Sequence, residues 1–592
     1  MTPSRFFLDV ETSLTGRPWR ARLDAAGEAR ALAISQISGR GDLLARILAG
    51  RGVELDAVER HLEPTLRELM PDPRTLIDME PATARLARAI ANRERVAIFG
   101  DYDVDGACSA ALLSEYLTAL GCPTLIHIPD RVTEGYGPNV EAMRHFRAEG
   151  ADLVVTVDCG AVSFEPFAEA AKLGLDVVVF DHHQAPEILP PALALVDPNR
   201  QDDLSGLGSL CAAGVVFMAL VDLNRRLRET GAAVPDLKSK LDLVALATVA
   251  DVVPLVGLNR AFVLRGLEAM RRRERPGLAA LFDVAGAGGP PTPYHLGFLV
   301  GPRINAGGRI GDAALGARLL TTADPAEATK IAAELDRLNR ERQRIEIAIL
   351  AEAEAQALAA LGLDERGACV VVSGEGWPPG VVGIVAARLK ERFGRPAFAL
   401  ALNGEEATGS ARSILGVDLG RLVRGLVETG LAAKGGGHAM AAGLTVRRDR
   451  LGELRAALEL ALQAPVEEAR RDSGLVVDGA LAAAAATPET LRAIEAAGPF
   501  GAGNPEPIFA LPRHRVTDVA VVGVDHVRLR AVSGDGRAVE AIAFRAAGRP
   551  LGQGLRALQG GQAHLAGVLA LNRYGGRERV QMRIIDAAPA AM

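Results

Sequence analysis

Three carboxylates stand at alternate positions, Asp101, Asp103 and Asp105, in the stretch VAIFGDYDVDGACSAALL that runs from Val96 to Leu113. Like charges this close cost free energy unless solvent or cations hold them. Two further polar tips follow apolar runs downstream: Asp158 in TVDCG, and Asp181, His182 and His183 in FDHH. Carboxylate and imidazole without thiolate is a donor set that suits Mn²⁺ or Mg²⁺. Two such ions, about 3.5–4 Å apart, would clamp a phosphoryl group and ionise an attacking water. Each tip alone has a plainer explanation, since a strand-end Asp often caps a helix and DHH can be a turn with two exposed imidazoles. Three such tips on successive strands are harder to obtain by accident.

The elements that must position them are legible as βαβ units. Buried strands are expected near 95–100, 124–128, 152–157 and 176–180, separated by amphipathic helices, which together predict a parallel sheet. In open α/β sheets ligands bind beyond the carboxyl ends of the strands, and each of these runs ends there in polar residues. The tips are therefore expected to converge.

Composition narrows the class. A chain of 592 residues with 49% hydrophobic residues is expected to form about three or four domains. No run of about 18 apolar residues predicts a membrane span, and the N-terminus shows no apolar leader, so a cytoplasmic location is expected. The five cysteines are scattered and never in C-x-x-C spacing, which argues against a disulfide framework and a thiolate zinc site. A net charge of −6 argues against polyanion binding over the whole surface but leaves room for a local basic channel. Candidate basic pieces are RRRER (271–275), RLNRERQR (337–344), RRDR (447–450) and RYGGRERVQMR (573–583), each of which alone reads equally as a solvated face.

DYDVDG, TVDCG and DHHQAP resemble motifs I, II and III of the DHH phosphoesterase superfamily, and LATVADVVPL (246–255) resembles motif IV. GPRINAGGRIGDA (301–313), GSARSI (409–414) and KGGGHAMAAG (434–443) resemble the RecJ branch, the single-strand-specific 5′→3′ DNA exonucleases. The resemblance implies a two-ion site held by Asp103, Asp105, Asp158, His182 and Asp251, with Asp158 bridging; Asp101 either joins them or orients its neighbours. It implies for His183 a place on a metal or on the scissile phosphate. Relatives outside the branch carry a histidine four residues before the Asp103 position, where this chain has Phe99.

The resemblance also implies the rest of the architecture: α/β, with a parallel-sheet DHH domain joined by a long helix to a smaller α/β DHH-associated domain, plus a C-terminal OB-like β-barrel. The expected boundaries are an N-terminal extension packing on the core over 1–75, the catalytic domain over 76–323, the linker helix over 324–366, the DHH-associated domain over 367–463 and the barrel over 464–592. The linker reads independently as a helix. Asp324, Pro325 and Glu327 supply an N-cap, an N1 proline and a capping-box acid, and no glycine or proline follows until Gly362, a span of more than about 50 Å. Leu335, Leu338, Ile345 and Ile349 keep one apolar stripe that Arg342 interrupts.

In the DHH-associated domain, the backbone of Gly435, Gly436 and Gly437 can approach a phosphate and His438 can add a donor, while Arg412 and Ser413 suit a terminal 5′-phosphate. In GPRINAGGR, Arg303, Asn305 and Arg309 bracket a glycine pair; either Arg303 reaches the scissile phosphate as a catalytic group, or the segment is a turn with two exposed arginines. Arg131 and Tyr136 are placed to guard the entrance of a channel too narrow for duplex. Five alternating apolar runs near the C-terminus fit the barrel, where Arg573, Tyr574, Arg577 and Arg579 could track a single strand.

The function expected is metal-dependent hydrolysis of single-stranded DNA from the 5′ end to 5′-mononucleotides in repair and recombination. No nucleotide cofactor is expected, because no G-x-x-x-x-G-K-[ST] loop occurs. By family analogy a single-stranded-DNA-binding protein or a RecQ-type helicase is the expected partner, and the chain a monomer. Two alternatives stay open: a DHH enzyme acting on short oligonucleotides or nucleoside bisphosphates, and an inert DHH scaffold in a replication complex. A haloacid-dehalogenase loop also fits DYDVDG but leaves Asp181, His182 and His183 without a role.

Overall fold

Four runs of apolar residues become the strands β1 (Val96–Gly100), β2 (Thr124–His127), β3 (Leu153–Val157) and β4 (Asp176–Phe180), within a residue or two of their expected places. β1 and β3 are buried on both faces, as parallel strands sandwiched between helices must be. A fifth strand, β5 (Ala194–Val196), has only three residues and no periodicity to betray it. The computed structural model describes residues 6–131, 133–362, 365–574 and 577–590; the side chains of Asp472, Arg573, Tyr574 and Arg577 lie outside the described residues, so the substrate contacts expected of the last three are not located. The sheet is all parallel in the order β2-β1-β3-β4-β5. The order reverses between β1 and β3, the switch point at which such sheets open a ligand crevice.

Helix α1 (Val104–Ala119) follows β1 and is buried over most of its length. Two more helices pack against α1, α2 (Ala212–Glu229) and α3 (Leu241–Ala250). GPRINAGGRI forms the helix α4 (Gly301–Ile310), not the turn that its glycines suggested.

The linker helix α5 (Pro325–Leu361) is 37 residues long, about 55 Å at about 1.5 Å per residue. Asp324 caps it through Ala326 N–H, but Glu327 accepts from the Thr322 hydroxyl instead of reaching back to Asp324. Leu335, Leu338 and Ile349 are buried, and so is Arg342, whose charge is met by Glu346 at 2.6 Å and Asn339 at 3.0 Å.

Beyond the linker, β6 (Val370–Glu375), α6 (Pro379–Phe393), β7 (Ala397–Asn403), β8 (Glu406–Arg412), α7 (Leu419–Glu428), β9 (Lys434–His438) and β10 (Ala441–Arg447) form a mixed sheet in the order β9-β10-β8-β7-β6. The three-glycine run is thus strand, not loop. All of these elements belong to one compact unit, residues 70–254 and 258–470.

The second unit joins residues up to Leu69, residues 255–257 and the chain from Arg471 onward. Its strands β11 (Gly479–Ala480), β12 (Phe509–Val522), β13 (His526–Val532), β14 (Ala538–Ala543), β15 (Gln562–Tyr574) and β16 (Arg577–Pro589) close on themselves, because β12 pairs with both β13 and β15. The N-terminal segment, expected to pack on the catalytic core, folds with this barrel. Trp19–Ala21 pairs in parallel with Leu475–Val477, Trp19 Nε1 donates to Asp586 at 3.1 Å, and Arg22 and Arg51 hold the buried Asp478 at 2.8 and 3.1 Å. A lone buried carboxylate would be costly, and both partners of Asp478 lie in this unit.

All five cysteines are free and buried. Among the described residues no helix is long and apolar enough to cross a membrane. The basic runs are largely neutralised by neighbours: Arg273 pairs with Asp283, Arg275 with Asp242, Arg337 with Glu334 and Glu341, and Arg448 with Glu375.

Candidate metal centre and phosphate pocket

The turn after β1 is tight enough that a Cβ at Gly106 would sit 2.3 Å from Asp101 O, so only glycine lets the carboxylates fold back over the strand end. Asp103 caps α1, one oxygen accepting from Asp105 N–H at 2.8 Å and Gly106 N–H at 3.1 Å. Asp105 is buried and aimed at the first turn of α2, its two oxygens accepting from Ala212 N–H at 2.6 Å and Ala213 N–H at 2.9 Å. A helix N-terminus favours an anion there. Asp158, at the tip of β3, is held at a φ of +62°, a conformation rare outside glycine and Asn/Asp, and one often stored at functional sites.

His182 carries its Nε2 into the middle of these groups, 3.1 Å from Asp158, 3.7 Å from Asp105 and 3.8 Å from Asp251. Asp251 follows the last turn of α3, where the helix carbonyls repel a carboxylate. The donor atoms of Asp105, His182 and Asp251 lie within 4.8 Å of one another, and the same holds for Asp101, Asp103 and Asp158, and for Asp158, His182 and His183. Phe99 is buried against His127 and Phe146, so the position that carries histidine in other relatives is core here. Asp101, two residues on, brings a carboxylate to Asp103 and Asp158 instead.

Three features make this cluster a fit for divalent cations. One oxygen of Asp101 and one of Asp251 are buried without a hydrogen-bond partner. Burial and then the neighbouring carboxylates push Asp101 and Asp158 well above the usual carboxylate range and Asp251 up to about 8. The donors are all oxygen or imidazole, which suits Mn²⁺ and Mg²⁺.

His183 borders this cluster and has a carboxylate of its own. Its Nδ1 is 2.8 Å from Asp181, whose other contacts are Ala161 N–H at 3.0 Å and His182 N–H at 2.8 Å. Burial alone would raise Asp181, but the His183 hydrogen bond and charge outweigh it and leave the carboxyl at about 2. Burial likewise opposes the charge on His183, and Asp181 lifts it to about 9. Tyr136 brings its hydroxyl to 3.3 Å from His183 Nδ1 and 3.4 Å from Asp158 O.

A group of cations faces the acidic tips. Arg131 lies over the Tyr102 ring at 5.2 Å. Arg309 is lowered to about 10 by burial and by Arg131, Arg342 and Arg412, against the opposing pull of Asp103. Burial and Arg131 lower Arg412; burial, Arg412 and His183 lower His438. Burial is the larger cause at each of them and the neighbouring cations add to it, an environment that an anionic ligand would relieve. Gly436 leaves open space beside His438, whereas a Cβ at Gly437 would strike Ala441 O at 2.4 Å.

Three candidates from the sequence sit differently. Arg303 turns to the linker helix, with Nε 3.0 Å from Asp336 and Nη1 2.7 Å from Leu299 O. Ser413 is buried and donates its hydroxyl to Val417 O at 2.6 Å, which pins the turn after β8 and takes the hydroxyl away from any phosphate. Asn305 has a buried Oδ1 without a partner and touches none of the acidic groups through a hydrogen bond described here.

Sequence reasoning missed Asp197 and Asn199, which follow β5. Asn199 Nδ2 donates to His182 O at 2.6 Å and Asp197 accepts from Asn199 N–H at 2.7 Å, so this loop holds the DHH backbone. Burial and Asp181 raise Asp197 to about 7. The rule that strand tips carry function applies to this loop, but a three-residue strand gives the rule nothing to act on.

Known families meet the chain over the same regions. Residues 95–248 match the DHH family, N-terminal domain; residues 366–464 match the DHHA1 domain; residues 477–586 match the RecJ OB domain. The single-stranded-DNA-specific exonuclease RecJ of Dickeya dadantii is 38% identical over 85% of this chain and 89% of its own, and that of Escherichia coli 36% identical over 92% and 95%. The crystal structure of RecJ in complex with Mn²⁺ from Thermus thermophilus superposes with a TM-score of 0.77 at 30% identity, covering 97% of this chain and 80% of that one. At this identity and over this much of both chains, the chain belongs to the RecJ family of single-stranded-DNA-specific exonucleases.

Proposed function

We propose that the protein removes nucleotides one at a time from the 5′ end of single-stranded DNA, with two divalent ions held by Asp101, Asp103, Asp105, Asp158, His182 and Asp251. The observation that carries this reading is the cluster of carboxylates around His182 Nε2 and Asp158 at the switch point of the sheet, in which one oxygen of Asp101 and one of Asp251 are buried without a partner. Bound there, such ions supply charge neutralisation for the phosphodiester and lower the pKa of the attacking water. Asp158 and His182 each belong to two of the donor sets, and of the two only a carboxylate, with its two oxygens, could serve both ions.

The chain's own groups do the rest. Asp181 keeps His183 charged, so that Nε2–H is free to hold an oxygen of the scissile phosphate while Nδ1–H stays on the carboxylate. Arg309, not Arg303, is assigned to the charge that develops on that phosphate, since Arg303 is spent on Asp336. Arg131, Arg412 and the backbone from Gly436 to His438 would take the terminal 5′-phosphate, which sets the polarity. The barrel would hold single-stranded DNA through backbone electrostatics, with Arg573, Tyr574 and Arg577 among its contacts. These tasks fall to the expected domains over 76–323, 324–366, 367–463 and 464–592, with the residues up to Leu69 grouped with the barrel.

End-labelled single-stranded DNA incubated with Mn²⁺, Mg²⁺ or chelator tests the reading, with wild type beside Asp158→Ala. Release of 5′-label as mononucleotide that needs both metal and Asp158 supports it. Release from the 3′ end, or activity in chelator, overturns it.

A further inference from the structure

We infer that three glycines act as a spacer that sets the distance between the acidic centre and the arginine pocket, and so sets the length of each released product. The inference rests on the 5′-phosphate reading above. Enzymes that cut at a fixed step from a chain end must hold the end and the scissile bond at one separation, and a misplacement of about 1 Å can cost about a hundredfold in rate.

The contacts form a continuous series through the backbone. A Cβ at Gly308, in α4, would lie 2.8 Å from Tyr102 O, within the carboxylate turn. The next residue, Arg309, meets α6: a Cβ at Gly380 would lie 2.6 Å from Arg309 O and 3.1 Å from its Cα, and Arg309 Nη1 donates to Gly380 O at 2.7 Å. One turn further along α6, a Cβ at Gly383 would lie 3.0 Å from Arg412 Nη2 and 3.4 Å from Ser410 Oγ. From Tyr102 to Arg412 the chain therefore passes through three close approaches that tolerate no side chain without something moving. Two of them are against backbone, which cannot rotate away. Packed interfaces of this kind shift as units and do not deform gradually.

A glycine is not needed for local conformation at these places, since none of the three has a positive φ. Ordinary helix propensity would favour alanine at Gly383, inside α6, if space allowed, and gives no preference for glycine at Gly380 in its first turn. Close approach is the remaining reason for glycine.

The test is Gly380→Ala in the full-length protein, with Gly425→Ala as a control, because Gly425 has open space around it in α7. Mn²⁺ affinity is read by calorimetry, the binding ratio of 5′-phosphorylated over 5′-hydroxyl strands by anisotropy in chelator, and first-product length by chromatography. Gly380→Ala is expected to keep Mn²⁺ affinity and the phosphate binding ratio within about twofold, while kcat on 5′-phosphorylated strands falls about 10- to 100-fold or the first product lengthens. Gly425→Ala is expected to behave as wild type. Wild-type rate with mononucleotide as the sole product overturns the inference, and so does a loss of Mn²⁺ binding alongside activity, which would make Gly380 merely structural. Should Gly380→Ala not fold, Gly383→Ala, which meets only the mobile end of Arg412, is read for the same split with a smaller fall of about threefold; no fall overturns the inference. The parent reading has its own arm: Arg412→Ala must lose the phosphate binding ratio, and if it does not, the 5′-phosphate pocket fails whatever Gly380 does.

Discussion

Asp181 and His183 move each other in opposite directions because each is the other's nearest charge, at 2.8 Å. In Asp181→Asn the imidazole loses what holds it at about 9, so the His183 midpoint seen by NMR should fall toward the ordinary value of about 6.5. The kcat should drop about 10- to 100-fold with it, as is usual when a supporting carboxylate is removed. A midpoint that stays near 9 sinks this role for Asp181. The arginines of α4 make a second case. Arg303→Ala leaves Asp336 to Arg340 alone and should cost about 1–3 kcal/mol in denaturant unfolding, with kcat altered less than threefold. Arg309→Ala gives up one hydrogen bond, to Gly380 O, but relieves a cation disfavoured by burial, and should cost about 1 kcal/mol or less while lowering kcat/KM on single strands by about tenfold or more; wild-type kcat/KM would refute the assignment. The acids and imidazoles of the three tips were legible because each closes an apolar run. The arginines were not separable in the sequence: six residues apart on a helix they lie about 120° apart and face different neighbours, but a segment with two adjacent glycines does not read as helix.

Among the elements, the strands that hold the centre and the linker helix were legible from period and caps, since buried parallel strands are nearly all apolar and α5 has both a start and a stop signal. KGGGH was not legible as a strand because β9 draws its order from pairing with β10, from Lys434 opposite Thr445 to His438 opposite Ala441, and not from its own side chains. The linker's cap gives a prediction confined to its element. Asp324→Ala removes the acceptor for Ala326 N–H and should lower stability by about 1 kcal/mol, read as a shift in the urea midpoint at constant m. Activity on single strands should stay within twofold, because the cap touches neither the acidic tips nor the arginines. A cap variant that kept its stability but lost activity would mean that α5 carries function at this end.

At the level of the whole chain, the grouping of the N-terminal segment with the barrel could not be read from sequence, because it depends on a parallel pairing between Trp19–Ala21 and Leu475–Val477, more than four hundred residues apart. What the whole molecule does register is the charge at its acidic centre. Asp101, Asp158 and Asp251 have folded pKa values raised above the unfolded value of about 3.9, Asp251 to about 8. The stability that such groups contribute is fully present below about pH 4 and is lost as pH rises through about 8, because the folded state then surrenders protons it had kept. Metal-free protein should therefore melt progressively lower from pH 5 to pH 8. Mn²⁺ at about a hundred times its Kd should restore about 2.7 kcal/mol. Since the ion competes with those protons, its affinity rises with pH, and the melting gap between loaded and metal-free protein should widen across the same window. In Asp251→Asn the metal-free slope should flatten, because one of the raised carboxyls is gone. A gap that is constant or narrows with pH would mean that the carboxylates are not crowded against one another in the folded chain, and the need for cations at this centre would lose its physical basis.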